Sequence, residues 1–572
     1  QIVYLLSRNV TLQIVAPPYG FRWHLDELFS GSGGGNCGLP GNEACRGAQP
    51  ANAMFQPALG AVIFGAALGY LVHLNRGERR LQRLFFLGAW YFTALAALAK
   101  GAPGLILPVA IAAATLVAGR RWQELTRVEL AGFCLMFAAV CLPWYVQSYM
   151  RHGEPFTDRL LFHDMYKRAF VHVHDTNAGN DVSFRYYIWQ LGYGLFPWTG
   201  LAAAGLCLAF RRAEAHNDKL RSMAVLSLLW LVVSFGLFSV SLTKFHHYAL
   251  PCLPPLAIST ALLLERALGT PTAGMRRPAA YLAAMASAAL LLIYGCLRLR
   301  EGSALGSVLA DGSLSPASLA QAALLCSAGL GVATLAALKL GPRNTAAHEP
   351  LLGVLGVAAA FATLLVARDL STSVVGDVSA SARLLHLVSY NYKRPWPPSL
   401  DFEAAQWGFG VAAAVCCFGL AFHALRHHAA VLACAVGVWF CVFTLFGYLP
   451  RVAPHFGQRE LFVAYYRARS SSNEPVVAYQ MNWKGENFYT GNRIPAFVSS
   501  GGKFKSWLKK QRSAGRRVLF FVTEHGRIGT LRSELGAIRH ISTLTDKLLN
   551  NKFALVRVEL GDTPKGESVE VN

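Results

Sequence analysis

The stretch Phe235–Pro255 reads FGLFSVSLTKFHHYALPCLPP, and its reading decides the fold. Apolar runs of bilayer-crossing length flank it, Ser222–Val240 before and Ala249–Leu264 after. Between them Lys244, His246, His247 and Tyr248 crowd into a short turn. Cationic and hydrogen-bonding groups at a membrane surface can hold a phosphate, while apolar walls beside them hold a lipid tail. The plainer alternative is that Lys244 snorkels and the histidines flank a helix end.

Working outward, the same apolar grain continues in both directions. The 572 residues are 54% hydrophobic and 15% charged, which excludes an ordinary soluble domain. About twelve apolar runs are long enough to read as spans. They lie near 55–74, 84–98, 104–119, 128–147, 190–210, 222–241, 249–266, 279–297, 318–338, 351–367, 405–424 and 429–449. The second and third are short, and read as two spans or one kinked pair around Pro103.

A net charge of +22 would suit a nucleic-acid binder, but its distribution argues for a different cause. Arginines and lysines recur in every second short loop: Arg76, Arg79, Arg80 and Arg83, then Arg120, Arg121 and Arg127, then Arg211, Arg212, Lys219 and Arg221. Arg266, Arg276 and Arg277, then Lys339 and Arg343, then Arg426 continue the alternation. This is the positive-inside pattern. It puts those loops in the cytoplasm and the Lys244 turn, the 148–189 loop and the C-terminus outside. Nucleic acid is not an expected partner; the lipid bilayer is.

Ten of the twelve cysteines fall in apolar runs, where they act as small apolar residues. Cys37 and Cys45 lie in a Gly-rich loop and could pair in an oxidising compartment. After Pro450 the composition turns polar. PVVAYQ (475–480), RVLFFVT (517–523) and KFALVRVEL (552–560) read as strands, and KFKSWLKKQRSAG (503–515) and GRIGTLRSELG (526–536) as helices closed by glycine. The expected fold is therefore a polytopic all-α membrane protein of about twelve spans with a small C-terminal α/β extramembrane domain. Its expected divisions are a periplasmic segment over 1–54, a membrane module over 55–449, and a periplasmic domain with a disordered tail over 450–572. Residue 1 is Gln and no leader is visible, so 1–54 reads as the remnant of a truncated N-terminal region.

Four outer-face constellations carry candidate chemistry. Lys100 follows an apolar run and precedes Gly101-Ala102-Pro103-Gly104. A lysine at membrane depth is a functional candidate, with a snorkelling side chain as the alternative. Pro143-Trp144-Tyr145 leads into a loop holding His163, Asp164, Tyr166, Lys167, Arg168, His172, His174 and Asp175. Its aromatic and basic residues suit anionic or sugar groups, or simply an interfacial helix. Tyr193 lies in QLGYGLFPW (190–198), beside Trp198, which reads as an aromatic-belt residue. The Lys244 turn is the fourth. His172-Val173-His174-Asp175 has no third ligand at a telling interval, so no metal is assigned and a divalent cation is left open.

In order and spacing, AKGAPGLILP (99–108), PWYV (143–146), FHDMYKRAF (162–170), QLGYGLFPW (190–198) and SLTKFHHYALPCLPP (241–255) resemble the dolichyl-phosphate-mannose:protein mannosyltransferase superfamily. The nearest likeness is to its bacterial branch, including lipid A 4-amino-4-deoxy-arabinose transferases. The resemblance covers about 1–260 and implies a GT-C fold. It further implies a bacterial inner-membrane enzyme that moves a sugar from a polyprenyl-phosphate carrier to an envelope acceptor, whether lipid A, glycan or protein, at the periplasmic face. By position, Lys100 matches the family's TKG lysine, with Ala99 in place of threonine. Lys244, His247 and Tyr248 match S-x-x-K-x-x-x-Y, and Arg168 a basic residue of the outer loop. Together these five are the expected donor-phosphate ligands, with His163, Tyr166 and Tyr193 as substrate-binding residues.

The same resemblance implies an acidic residue in a first outer loop, expected upstream of Gln1. Gln13 stands where a later outer segment commonly carries Asp, and Asp26 and Glu27 are weak stand-ins for the catalytic acid. Two other classes fit the basic groups: a transporter or flippase of lipid-linked glycans, and a non-catalytic envelope-binding protein.

Overall fold

Helices break in this protein where its glycines and prolines require it. The computed structural model describes residues 10–13, 20–23, 57–120, 122–171, 183–213, 218–268, 277–297, 316–340, 349–371, 384, 396–397, 399–471, 474–481, 483, 485–490, 494–498 and 501–561. Asp26, Glu27, Cys37, Cys45, His172, His174 and Asp175 lie outside the described residues, as does the Arg168 side chain.

A short antiparallel hairpin, β1 (Val10–Gln13) and β2 (Gly20–Trp23), pairs Val10 with Trp23. The helical part begins with α1 (Pro57–Asn75), α2 (Leu81–Lys100) and α3 (Ala102–Ala118). Gly101 separates α2 from α3 at φ 73°, a left-handed conformation that side chains resist. The run near Pro103 is thus two helices joined by a glycine turn.

Next, α4 (Leu130–Met136) passes through a π-helical turn, Phe137–Cys141, into α5 (Leu142–His152). Then α6 (Arg185–Gly194) and α7 (Thr199–Ala213) meet at a bend of 115°. The bundle is completed by α8 (Asp218–Val240), α9 (Leu253–Leu268), α10 (Pro278–Leu297), α11 (Pro316–Leu340), α12 (Glu349–Ser371), α13 (Glu403–Gly419) and α14 (Arg426–Val442).

All twelve predicted apolar runs are helical over most of their length. Among the described residues, seven helices are long and apolar enough to cross a membrane, or eight with the bent α6–α7 pair. The Ala102–Ala118 and Leu130–Val146 helices are apolar but shorter. The protein is thus a mostly helical, multi-pass membrane protein.

Small residues hold these helices together, as expected where lipid removes the hydrophobic drive for association. A side chain at Gly200 would strike the Ala359 carbonyl, so α7 and α12 touch backbone to backbone there. Ser227 donates to the Pro255 carbonyl at 2.6 Å and lies 2.9 Å from the Ser259 hydroxyl, joining α8 to α9 with polar contacts.

Beyond His455 a smaller unit begins with α15 (Arg459–Ala468), then β3 (Val476–Tyr479), α16 (Gly485–Tyr489), β4 (Ala496–Phe497) and α17 (Gly502–Ser513). It continues with β5 (Val518–Glu524), α18 (Ile528–Leu535), β6 (Ile538–Thr543) and β7 (Phe553–Leu560). The sheet order is β4-β3-β5-β7-β6, with β3 parallel to β4 and β5 and with β7 antiparallel to β5 and β6. Central β5 is buried on both faces, with Leu519, Phe521 and Phe504 on one side and Phe520, Val522 and Phe462 on the other. The predicted strands and helices of this part are present; β4, β6, α15 and α16 were not predicted.

Candidate functional site

The motif-bearing segments, distant in sequence, converge at one end of the bundle. Lys100 is the last residue of α2, and Gly101 lets the chain turn immediately after it. Tyr145 of α5 donates its hydroxyl to the Ala97 carbonyl at 2.9 Å, tying the PWYV segment to the end of α2. Met165 packs over Gly101. The Leu242 amide donates to the Ala169 carbonyl at 3.1 Å, and the Thr243 hydroxyl to the Val171 carbonyl at 2.9 Å. The turn after α8 is therefore stitched to the 162–170 motif.

Beneath the turn lies a buried apolar group that includes Leu107, Ile111, Tyr186, Tyr187, Phe238 and Ala249. A 3-10 helix, His246–Cys252, presents His247 and Tyr248 above it. The exposed Lys100 ammonium approaches His247 Nε2 at 2.9 Å and stands 5.1 Å from the centre of the Tyr248 ring. An ammonium has only donors, so in this contact the His247 Nε2 is the accepting atom. The result is a cation held over an aromatic face and steadied by an imidazole, at the end of a membrane helix.

Lys244 has a different environment. It is fully buried, and its ammonium donates to the carbonyls of Phe238 (3.3 Å) and Ser239 at the end of α8, 5.3 Å from the Tyr187 ring centre. A positive charge at the C-terminal end of a helix meets unpaired carbonyls and the negative pole of the helix dipole. The expectation that Lys100 and Lys244 share one phosphate meets a physical competitor here, because helix capping already engages Lys244.

Of the other predicted residues, His163 Nδ1 lies 3.2 Å from Asp164 Oδ1, its sequence neighbour. Tyr166 is exposed and stacks on Phe162 with ring centres 5.6 Å apart. Both belong to a π-helical segment, Asp158–Lys167, whose Met165 reaches Gly101. Tyr193 donates to Asp369 Oδ2 at 3.1 Å, linking α6 to the last turn of α12. Sequence reasoning missed Asp369 and Tyr187. Asp369 lies just past the 351–367 apolar run, yet in the last turn of α12 it is only 1% exposed. Among the described residues, no group of three or more His, Cys, Asp or Glu side chains is placed to hold a metal ion.

Comparison with known proteins gives partial matches, among them several arabinosyl transferases. The chain is 30% identical over 191 residues to an undecaprenyl phosphate-alpha-4-amino-4-deoxy-L-arabinose arabinosyl transferase of Pseudomonas aeruginosa, covering 32% of each sequence. A transferase of the same name from Edwardsiella ictaluri is 31% identical over 176 residues, 30% of this chain and 29% of that protein. One from Proteus mirabilis is 24% identical over 213 residues, 37% and 36%. No family model and no solved structure matches. The chain thus aligns with about a third of the length of the curated relatives named here, and over that third it is similar to proteins named as arabinosyl transferases.

Proposed function

We propose that the protein is a glycosyltransferase that takes a sugar, 4-amino-4-deoxy-arabinose in the named relatives, from undecaprenyl phosphate and passes it to lipid A. The observation that carries this reading is the meeting of Lys100 and His247, 147 residues apart, at 2.9 Å over the Tyr248 ring. In such a transfer an acceptor oxygen forms a bond to the anomeric carbon, and the bond from that carbon to the phosphate oxygen breaks. The electron pair and the developing negative charge go to the phosphate; the acceptor's proton goes to a base. A cation already in place beside the leaving oxygen stabilises that charge without reorganising. Lys100 supplies the cation, His247 and Tyr248 orient it, and Arg168 serves the same phosphate. Lys244 acts through the same turn, fixing its base against α8.

On this reading the architecture is GT-C, with about twelve spans, the Lys100 end of the bundle at the periplasmic face of a bacterial inner membrane, and the 450–572 portion periplasmic. The decisive assay is sugar transfer by the native protein in lipid, using loaded undecaprenyl phosphate and lipid A. Lys100→Ala lowers turnover about 10²- to 10³-fold, the loss typical of one preplaced charge-stabilising donor. Unchanged turnover in a folded Lys100→Ala protein would sink the assignment. Cysteine labelling tests the orientation: a cysteine at Asn217 stays unlabelled by impermeant reagents in intact cells.

A further inference from the structure

The second half of the bundle places a polar group where apolar side chains belong. Helices α12 and α13 run antiparallel, with Gly356 against the Cys417 carbonyl and Gly410 against Ala367. One turn further along each helix from the second contact come Ser371 and Gln406, so packing sets them at the same level. Gln406 is 0% exposed and Ser371 2%. Among the described residues neither atom of the Gln406 amide nor the Ser371 hydroxyl has a hydrogen-bond partner. A buried amide without partners costs several times what a made hydrogen bond contributes, so such groups are normally found filled by water or ligand.

The surroundings suggest what fills them. Asp369, two residues before Ser371, turns toward α6 rather than α13 and accepts from Tyr193 at 3.1 Å. Phe196, three residues beyond Tyr193, reaches the Gly410 position. Tyr193 in turn lies roughly 9 Å along α6 from Tyr187, taking 1.5 Å per residue, and Tyr187 faces Lys244. This places mixed donors and acceptors, with an aromatic beside them, within one helix length of the buried Lys244 that anchors the His247–Tyr248 turn. An amide and a hydroxyl that can each donate and accept match a ligand whose groups do both, as sugar hydroxyls do.

We propose that Gln406 and Ser371, at the α12–α13 contact, form a saccharide subsite that hydrogen-bonds the hydroxyl groups of a transferred or accepting sugar. The proposal rests on the glycosyltransferase reading. Two sources carry this chemistry, the sugar on the carrier lipid and the glycan of the acceptor.

The test uses the native protein in nanodiscs with three probes: bare undecaprenyl phosphate, undecaprenyl phosphate loaded with 4-amino-4-deoxy-arabinose, and lipid A. Gln406→Met keeps the side-chain shape and removes both unpaired atoms, so the fold should tolerate it; Ser371→Ala provides a second variant should it not. If the carrier's sugar occupies the subsite, Gln406→Met weakens loaded-carrier binding about tenfold and leaves bare-carrier binding unchanged. If the acceptor occupies it, loaded-carrier binding holds and KM for lipid A rises by about the same factor. Loss of bare and loaded carrier alike, or no change for any probe, overturns the subsite. Lys100→Ala separates the two ideas. It should weaken bare and loaded carrier equally, and its failure to do so removes the phosphate assignment while leaving the Gln406 comparison intact.

Discussion

Two regions of this molecule gather lysines and aromatic rings, and they hold them differently. At the end of the membrane bundle, Lys100 terminates a helix and meets His247 and Tyr248, while Lys244 folds back onto the carbonyls that end α8. In the C-terminal unit, Lys503, Lys505, Lys509 and Lys510 are exposed on α17, whose other side buries Phe504, Trp507 and Leu508. Only Arg512 turns inward there, donating to the carbonyls of Leu535, Ala537 and Gly561, and burial pulls its guanidinium below the usual range. A basic cluster therefore has no single meaning. Where a cation is set against a distant segment it defines a position in space, and where it lines a solvated helix face it defines only a charge.

The largest stability contrast is between the two motif lysines. Lys244→Ala leaves the Phe238 and Ser239 carbonyls without their donor and opens a cavity in a closed core, at a cost of about 3 kcal/mol. Thermal unfolding in detergent should show a clear drop in Tm for Lys244→Ala. Exposed Lys100→Ala should leave Tm nearly unchanged while abolishing most turnover. The reverse pattern, a stable but inactive Lys244→Ala protein, would return Lys244 to the phosphate and erase the distinction between capping and binding.

That distinction marks how far the sequence could be read. The apolar runs mark where helices lie because hydrophobicity is a one-dimensional signal, although among the described residues only seven helices, or eight with the bent pair, reach a bilayer's width. The motif residues 99–108 and 241–255 flag the site because lysine beside an apolar run is costly. The sequence could not show which way Lys244 turns. Its spacing from α8 suits both a cap and a ligand, and only three-dimensional placement separates them. Strand β6 escaped for another reason: IRHIST lies at the sheet edge, and its partly exposed, mixed residues show no alternating apolar face. Asp369 stands just past the 351–367 apolar run, where an acid is ordinary, and nothing in sequence joins it to Tyr193, 176 residues earlier.

The joint between the two regions gives a smaller effect. Asn550 donates to the carbonyls of Pro454 (3.3 Å) and Gly457, and its Oδ1 accepts from the amides of Lys552 (3.1 Å) and Phe553 (2.7 Å). One side chain thus fastens the strand β7 hairpin to the segment leaving the membrane helices. Asn550→Ala strands several buried backbone groups and should cost about 2 kcal/mol, a loss local to the C-terminal unit. Limited proteolysis should then cut near residues 454–458 faster than in the parent protein, while binding of bare undecaprenyl phosphate stays unchanged. Equal loss of carrier binding would mean that the two regions fold as one cooperative block.

The smallest effect is expected on α17, where the contrast predicts charge without position. Lys505, Lys509 and Lys510 are all exposed, so replacing the three with Gln should change stability by less than about 0.5 kcal/mol per site. Trp483, half exposed, carries the Lys552 ammonium 3.2 Å from its ring centre and donates to Glu524 at 3.1 Å, so aromatic surface in this unit is already partly engaged. If the lysine face serves to gather an anionic acceptor such as lipid A, it acts through long-range attraction. Its contribution should then appear as a few-fold rise in KM for the acceptor at low salt and vanish near 0.5 M salt, where the screening length falls to a few ångströms. Turnover at saturating acceptor should not move, because nothing on this face touches the reacting atoms. A salt-independent loss, or a fall in turnover itself, would show that these lysines hold fixed partners, and the contrast between position and charge would fail at α17.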